Sequence, residues 1–416
     1  MSTLPFSPLL LCLPLAIGCG GSGDTTNTPD APTAPAPTGT APGDKKPGPP
    51  DKPGAPTTPN EAGKLDTTFG VNGRLALDQV PTALVADRTS GFATCRDLLV
   101  RRVTEAGAVD VTFGTDTSTH VTHTIANCST IAPLSGGGYS VVLGVNFRMT
   151  RLLANGAIDS SFGTDGSTLL STAFSFPRGD AAFAPDGTVV TAGSQIVNGV
   201  DLAIERFSAT GTQMGARIRD PLPGQSLEPL VVVPLKGGQT LIAGTRGPAA
   251  GTPDFYELDA AGTLTAQGSA AVEKFGFISL SSGFATPDGG AVLAGEIEPV
   301  AGDRDLGILR VAMGTGGATI TSSFKAGRKD VAYVHAVVVL PDGRVLAAAD
   351  TRSSHVLVAR FTADGKLDPT FGVGGIAEPF EATEKTSPRH LVVSATGAVV
   401  LSAEVGDHAA VVRLKM

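Results

Sequence analysis

The sequence predicts an all-β chain that closes into a seven-bladed β-propeller, and three recurring features carry that expectation. A phrase of the form GxLDxxFG returns along the chain, an apolar hairpin built on a glycine turn alternates with it, and a single strand, usually ending in Arg, follows each hairpin. Composition agrees, with 53 Gly and 30 Pro to make turns, no Trp, and apolar residues in short runs. Runs of that length suit strands rather than helices.

The chain opens MSTLPFSPLLLCLPLAIGCGGSGD. Leu9 to Ile17 form an apolar core too short to span a bilayer, followed by small residues, which is the shape of a secretory signal. Leu15-Ala16-Ile17-Gly18-Cys19 resembles a bacterial lipobox, although Ala16 stands where that pattern usually has Leu and no Lys or Arg precedes the core. The resemblance implies that residues 1–18 are removed and that Cys19 carries a lipid, anchoring the protein to the cell envelope at the outer membrane or cell surface. The alternative is a plain signal peptide and a secreted product.

Residues 19–62 are expected to be a linker. From Gly20 to Asn60 hydrophobic residues larger than Ala vanish, so the segment cannot bury enough surface to offset the entropy of ordering it. Its prolines favour extended geometry at about 3.1 Å per residue, long enough to hold a domain clear of a membrane.

Residues 63–416 hold the repeats. The first phrase reads GKLDTTFG at 63–70, GAVDVTFG at 107–114, GAIDSSFG at 156–163 and GKLDPTFG at 365–372, with weaker forms at 211–215, 262–268 and 318–324. The hairpin is clearest in AAFAPDGTVVTAG at 181–193, FATPDGGAVLAG at 284–295 and VVVLPDGRVLAAA at 337–349. Asp-Gly between β-rich runs marks a tight turn whose glycine supplies positive φ. The third element ends at Arg102, Arg151, Arg206, Arg310, Arg360 and Arg413, with Asp259 in the remaining unit. A four-stranded unit of this size cannot cover both of its faces alone, and stacking seven around an axis solves the problem.

Together the LDxxFG phrase and the PDGxVLxAG hairpin resemble the Delta-60 repeat of secreted bacterial propeller-like proteins, over residues 63–416. That resemblance implies a fold and no activity. The residues themselves assign structural work to the motif. Asp66, Asp110, Asp159 and Asp368 can each accept from an amide two or three residues on, forming an Asx turn that delivers Phe69, Phe113, Phe162 and Phe371 into the seam between blades. Arg102, Arg151, Arg360 and Arg413 are expected to bridge Asp110, Asp159, Asp368 and Asp66 respectively, the last pair only if the ring closes. It should close, because Arg413-Leu-Lys-Met416 matches the strand end that precedes the phrase at 365, so the phrase at 63 takes up the pattern where the C-terminus stops.

Of four Cys, Cys12 falls in the signal and Cys19 at the lipid site. Cys95, at the end of a hairpin, and Cys128, just before the next blade's inner strand, fall on one face, and a disulfide between them is plausible in an exported protein.

The search for chemistry is negative. There is no GxSxG, Walker loop, HExxH or CxxC. His120 and His123 are three apart, which on a strand means opposite faces, and His335, His355, His390 and His408 are dispersed. Glu298, Asp303 and Asp305 form an acidic loop with too few regularly spaced oxygens for a calcium site. A net charge of −8 with scattered basic residues excludes a nucleic-acid partner. No cofactor or metal is expected, and the chain is read as a monomer binding a protein or polysaccharide, more a scaffold than an enzyme. The alternative is a hydrolase or lyase with carboxylates or histidines converging on the axis. The apolar runs AAFA, VVVL and LVVS favour the scaffold, and the lack of Trp argues against a sugar platform, leaving Tyr139 and Tyr256 as possible contributors.

Overall fold

Antiparallel ladders of four strands recur seven times, and the reason lies in two-sided burial. In blade 7 Val399, Leu401 and Ala403 face one neighbouring blade while Val400 faces the other, so alternate side chains of one strand serve two different seams. Leu346 and Ala348 against Val345, Ala347 and Ala349 do the same in blade 6. This is why the strands read as continuous apolar runs rather than an alternation.

The structure, a computed structural model, describes residues 61–416 except 89–90, 98, 115–118, 121–127, 144–147, 171–178, 197–199, 216–217, 220–226, 247–251, 268–274 and 315–316. The expected signal, Cys19 and most of the expected linker lie outside the described residues. The folded unit runs from Thr58 to Met416. Blades 1 to 6 are residues 83–120, 128–169, 179–219, 227–267, 282–325 and 331–377, and blade 7 joins 74–77 to 386–414. Each inner strand packs against those of its two neighbours, that of blade 7 meeting blade 1, so the ring is closed. Among the described residues there is no helix.

Seven hydrophobic clusters fill the seven seams, one between each pair of consecutive blades. Phe69, Phe113, Phe162 and Phe371 each sit in a different one of them and are almost wholly buried. Each such ring contributes roughly 1.5–3 kcal/mol by its burial.

Closure is made of two ends of the chain. The strand Arg74–Leu77 pairs antiparallel with His408–Leu414, Arg74 opposite Val412 and Leu77 opposite Ala409. Ahead of it Leu65 bridges Leu414, the Gly63 amide donates to Lys415 O at 2.8 Å, and the Lys415 amide returns to Lys64 O at 2.9 Å. Blade 7 therefore takes three strands from the C-terminus and its outermost from the N-terminus of the domain.

Candidate functional site

The repeated phrase is built by local hydrogen bonds. Oδ1 of Asp66, Asp110, Asp159 and Asp368 accepts from the amides of Thr68, Thr112, Ser161 and Thr370 at 3.1, 2.9, 3.1 and 3.0 Å, and from the hydroxyls of the same residues. The following Phe amide donates to the Asp carbonyl, at 2.9 Å in the Asp66 copy. The hydroxyl residue two after the Asp is part of the motif, a signal present in all four copies and missed by a pattern that left the position free.

Two glycines frame the phrase. The Gly70 and Gly114 amides donate to Ala106 O and Asn155 O of the next blade, both at 2.7 Å. The opening glycine receives the previous blade's ring: a Cβ on Gly107 (φ 80°) would lie 2.5 Å from Gly70 N and 2.9 Å from the Phe69 ring. One blade's Phe thus packs on the next blade's Gly.

The strand-ending arginines divide. Arg102 reaches Asp110 Oδ2 at 2.6 and 2.7 Å, Arg413 reaches Asp66 Oδ2 at 2.8 Å, and Arg360 Nε lies 2.8 Å from Asp368 Oδ2. Arg151 differs: among the described residues it makes no ion pair with Asp159 and donates instead to Ala209 O at 2.7 Å. The structural reason is an inter-blade bond that the one-blade reading overlooked. Arg102, Arg206 and Arg413 likewise donate to Ala154, Ala260 and Glu105 carbonyls in the following blade. Arg102, Arg151, Arg310, Arg360 and Arg413 also lie 4.4–5.7 Å over the motif phenylalanines. Burial opposes ionisation of Asp66, but the Thr68 donors and Arg413 outweigh it and hold the carboxyl below its ordinary value.

Cys95 and Cys128 are joined by a disulfide with a Cα separation of 6.0 Å. Both are buried, and the bond ties blade 1 to blade 2 inside their shared seam.

None of these residues is arranged to act on a ligand. Bulges interrupt the inner strands of blade 2, at Cys128/Thr130, and blade 4, at Pro229/Val231, and the adjacent inner strands of blades 6 and 7. The last two run Val331–Val339 and Thr386–Val393, as against Leu227–Pro234 in blade 4 and Ala83–Ala86 in blade 1. Both are bulged, at Val331/Tyr333 and Val334/Ala336 and at Pro388/His390. A bulge interrupts the two-residue alternation and re-aims side chains. The residues at these bulges are Tyr333, His335, Arg389 and His390.

Asp350 pins the two strands together. Its carboxylate accepts from the Tyr333 amide at 2.9 Å and the Ser387 hydroxyl at 3.0 Å, and His335 Nε2 lies 3.3 Å away without hydrogen-bond geometry. Burial raises the Asp350 carboxyl, yet His335, Ser387 and the Tyr333 amide outweigh it and leave it below its ordinary value. The Tyr333 ring packs against the His335 ring at 6.4 Å and is itself 60% exposed. Arg389, two residues beyond Ser387, donates to Glu404 at 2.6 Å on the exposed surface. Below them His390 Nε2 is 3.2 Å from Pro81 O, and burial pushes its pKa down to about 4, so the imidazole is neutral with the proton on Nε2. Glu296 of blade 5 accepts from the Val334 amide and the Ser279 hydroxyl, and burial raises its carboxyl.

Other expectations fall differently. Tyr139 and Tyr256 are fully buried in the seams and offer no face to a sugar, because their blades use them as core. The inner lining is not uniformly apolar, since the bulges place polar side chains there. In the acidic loop, Asp305 is buried and accepts from the Leu306, Gly327 and Arg328 amides, Glu298 accepts from Gly302, and Asp303 meets Lys329. His120 ends the strand Thr119–His120, and His123 lies outside the described residues. Among the described residues no group of three or more His, Cys, Asp or Glu could hold a metal.

A cleft of about 1080 Å³ opens at the outer edge between blades 6 and 7, lined by Val71, Val373, Phe380, Arg74 and Arg328 among others. Its cations are committed: Arg74 to Glu384 and Arg328 to Asp330 and Glu378. Size alone does not make it the chemical centre of the molecule.

Comparison with known proteins places the fold. Residues 340–371 match a family model described as a domain of unknown function (DUF5122) beta-propeller. No curated protein matches. Among solved structures the chain is similar to a streptogramin B lyase, with 14% identity over 82% of this chain and 97% of that one and a TM-score of 0.57. It is also similar to a glucose dehydrogenase at 10% identity, covering 70% of this chain and 97% of that one with a TM-score of 0.43. A protein of unknown function from Bacteroides caccae matches at 13% identity, over 72% and 98% of the two chains, with a TM-score of 0.39. At 14% identity the likeness to the lyase is one of fold.

Proposed function

We propose that this chain is an exported, envelope-anchored propeller that binds a ligand at the inner rim of blades 6 and 7. One observation carries the reading: on two adjacent inner strands the residues at the bulges are an exposed Tyr and charged or polar groups. A bulge re-aims side chains, and those it turns toward solvent are free to meet a ligand. The apolar leader, Cys19 and the proline-rich stretch after it support a lipid tether and a stalk.

Two measurements test this. Cys19→Ser should move the protein from the membrane to the soluble fraction and abolish incorporation of labelled fatty acid, and an unchanged distribution would remove the anchor. Capture of envelope material by the full chain should be lost in an Arg389→Ala, Tyr333→Ala double variant. Capture that is equal in both would remove the rim.

A second reading, a hydrolase or lyase, is favoured by the position of His335, beside Asp350 and within electrostatic reach of a Glu296 whose carboxyl is raised by burial. Under that reading His335→Ala would abolish turnover while leaving ligand capture in place.

A further inference from the structure

Resting on that reading of the rim, we infer that Glu296 is a proton-operated clip: ionised, its carboxylate holds the bulge that aims Tyr333 and His335, and neutralised in acid, it lets that bulge loosen. Val331 pairs with Thr351 and Tyr333 with Asp350, then Val334 with Ala349 and Ala336 with Ala348, so Ala332 and His335 are the two extra residues of the inner strand of blade 6. Extra residues leave the ladder, and the amides beside them need other acceptors. Two carboxylates supply them. The Tyr333 amide donates to Asp350 Oδ1 of its own blade at 2.9 Å, and the Val334 amide donates to Glu296 Oε1 of blade 5. Ser281, at the entry to blade 5, donates its hydroxyl to Val334 O at 2.7 Å. The neighbouring blade thus grips Val334 by both its N–H and its C=O.

Glu296 is fixed at its base and removed from water. It is 5% exposed, its own amide donates to Ser279 Oγ at 3.2 Å, and the Ser279 hydroxyl donates back to Oε2. Gly295 admits this contact, since a Cβ there would lie 2.0 Å from Ser279 O. The strand Ser282–Ala285 brings no charge against it, Val331–Val339 brings Tyr333 and His335, and Asp303–Gly314 brings Asp303, Arg304, Asp305 and Arg310. Asp303 is taken by Lys329, Asp305 by the Leu306, Gly327 and Arg328 amides, and Arg310 by Gly343 O. Burial raises the Glu296 carboxyl, and the Val334 and Glu296 amides, His335 and Arg304 do not outweigh it. Asp350, held below its ordinary value, keeps its charge when Glu296 loses its own. Acid therefore releases one grip before the other. Because the folded Glu296 carboxyl lies above the unfolded value, proton uptake adds stability as pH falls through the folded value, and the ring stays closed while the bulge loosens.

The Val334 and Tyr333 amide resonances of the full chain are followed by nuclear magnetic resonance from about pH 7 to about pH 3. Tyrosine emission is read alongside, as native minus Tyr333→Phe. The Val334 resonance should shift with a midpoint above 4.5 and its protection from exchange should fall roughly tenfold across that step, the difference between a charge-assisted and a neutral bond. The Tyr333 amide should titrate with a midpoint below 3.8, and the emission should change with the Val334 step. Glu296→Gln should abolish the Val334 step and the emission change while keeping the Tyr333 titration. His335→Gln, which takes the imidazole out of the titration, should keep the Val334 step. Circular dichroism melts confirm that the variants fold.

No Val334 step above 4.5, a step that survives Glu296→Gln, or an emission that does not follow it overturns the clip. These signals need no ligand. If they fail while envelope capture still depends on Arg389 and Tyr333, the clip falls and the binding rim stands. If they appear while capture is indifferent to those residues, the clip stands and the rim reading falls.

Discussion

Arg413 holds the Asp66 carboxylate at 2.8 Å across 347 residues of sequence, donates to Thr68 Oγ1 at 2.8 Å and to Glu105 O at 2.6 Å, and lies 5.3 Å over the Phe69 ring. The last strand of the chain, the first phrase of the domain and the turn of blade 1 meet at one guanidinium. Arg413→Ala should lower stability by about 1–3 kcal/mol, the range for charge-assisted bonds at a partly exposed site. A double-mutant cycle with Asp66→Asn measures the coupling by denaturant midpoints. Deleting residues 63–75 should remove cooperative unfolding of the whole ring, and an unchanged thermal transition after that deletion would refute closure.

The disulfide constrains the unfolded chain over a separation of 33 residues. Replacing both Cys95 and Cys128 by Ser should cost about 2–4 kcal/mol. Because the bond lies within one seam, hydrogen exchange should rise first in blades 1 and 2. A uniform rise around the ring would contradict that placement.

Glycines at the two ends of the same φ range separate strain from contact. Gly289 has a φ of 94° with open space where a Cβ would stand, so Gly289→Ala should cost only the backbone strain of about 1–2 kcal/mol. Gly107 has a φ of 80° and sits against the Gly70 backbone and the Phe69 ring, so Gly107→Ala should cost clearly more. Equal losses of stability would mean that the blade seam yields freely.

Acid response combines groups of opposite sign. His390 has its folded pKa near 4 against an ordinary 6.5, so the unfolded chain takes the proton first and stability falls as pH drops from about 6.5 to about 4. Asp180, raised by burial to about 6, takes its proton first in the folded chain and adds stability as pH falls from there toward 3.8. The depressed carboxyls of Asp66, Asp110 and Asp368 stabilise above the unfolded value, and this contribution is lost as pH falls through their folded values. The stability profile should therefore be shallow between pH 6.5 and 4 and steep below. Asp180→Asn should make stability fall with falling pH across the upper part, and His390→Gln should make it rise there. Urea midpoints across this range check both, and identical profiles for the two variants would dispose of the assignment.

Much of the architecture was determined by the sequence alone, because its signals are local. An Asx turn spans two residues, a glycine turn spans two more, and seven repetitions with a strand left over at the end imply a ring with a three-plus-one closure. The ring closure at Gly63 and the Phe residues of the seams follow from periodicity. What lies between blades does not. Whether Arg151 turns to Asp159 or to Ala209 depends on where the neighbouring turn sits, which no spacing within one repeat records. The rim was hidden for the same kind of reason: the bulges at Tyr333, His335 and His390 break the alternation from which a face can be read, and Asp350 and Ser387 belong to different blades. Only the packed ring brings them together, since the distance between inner strands is set by the seams that the apolar faces fill.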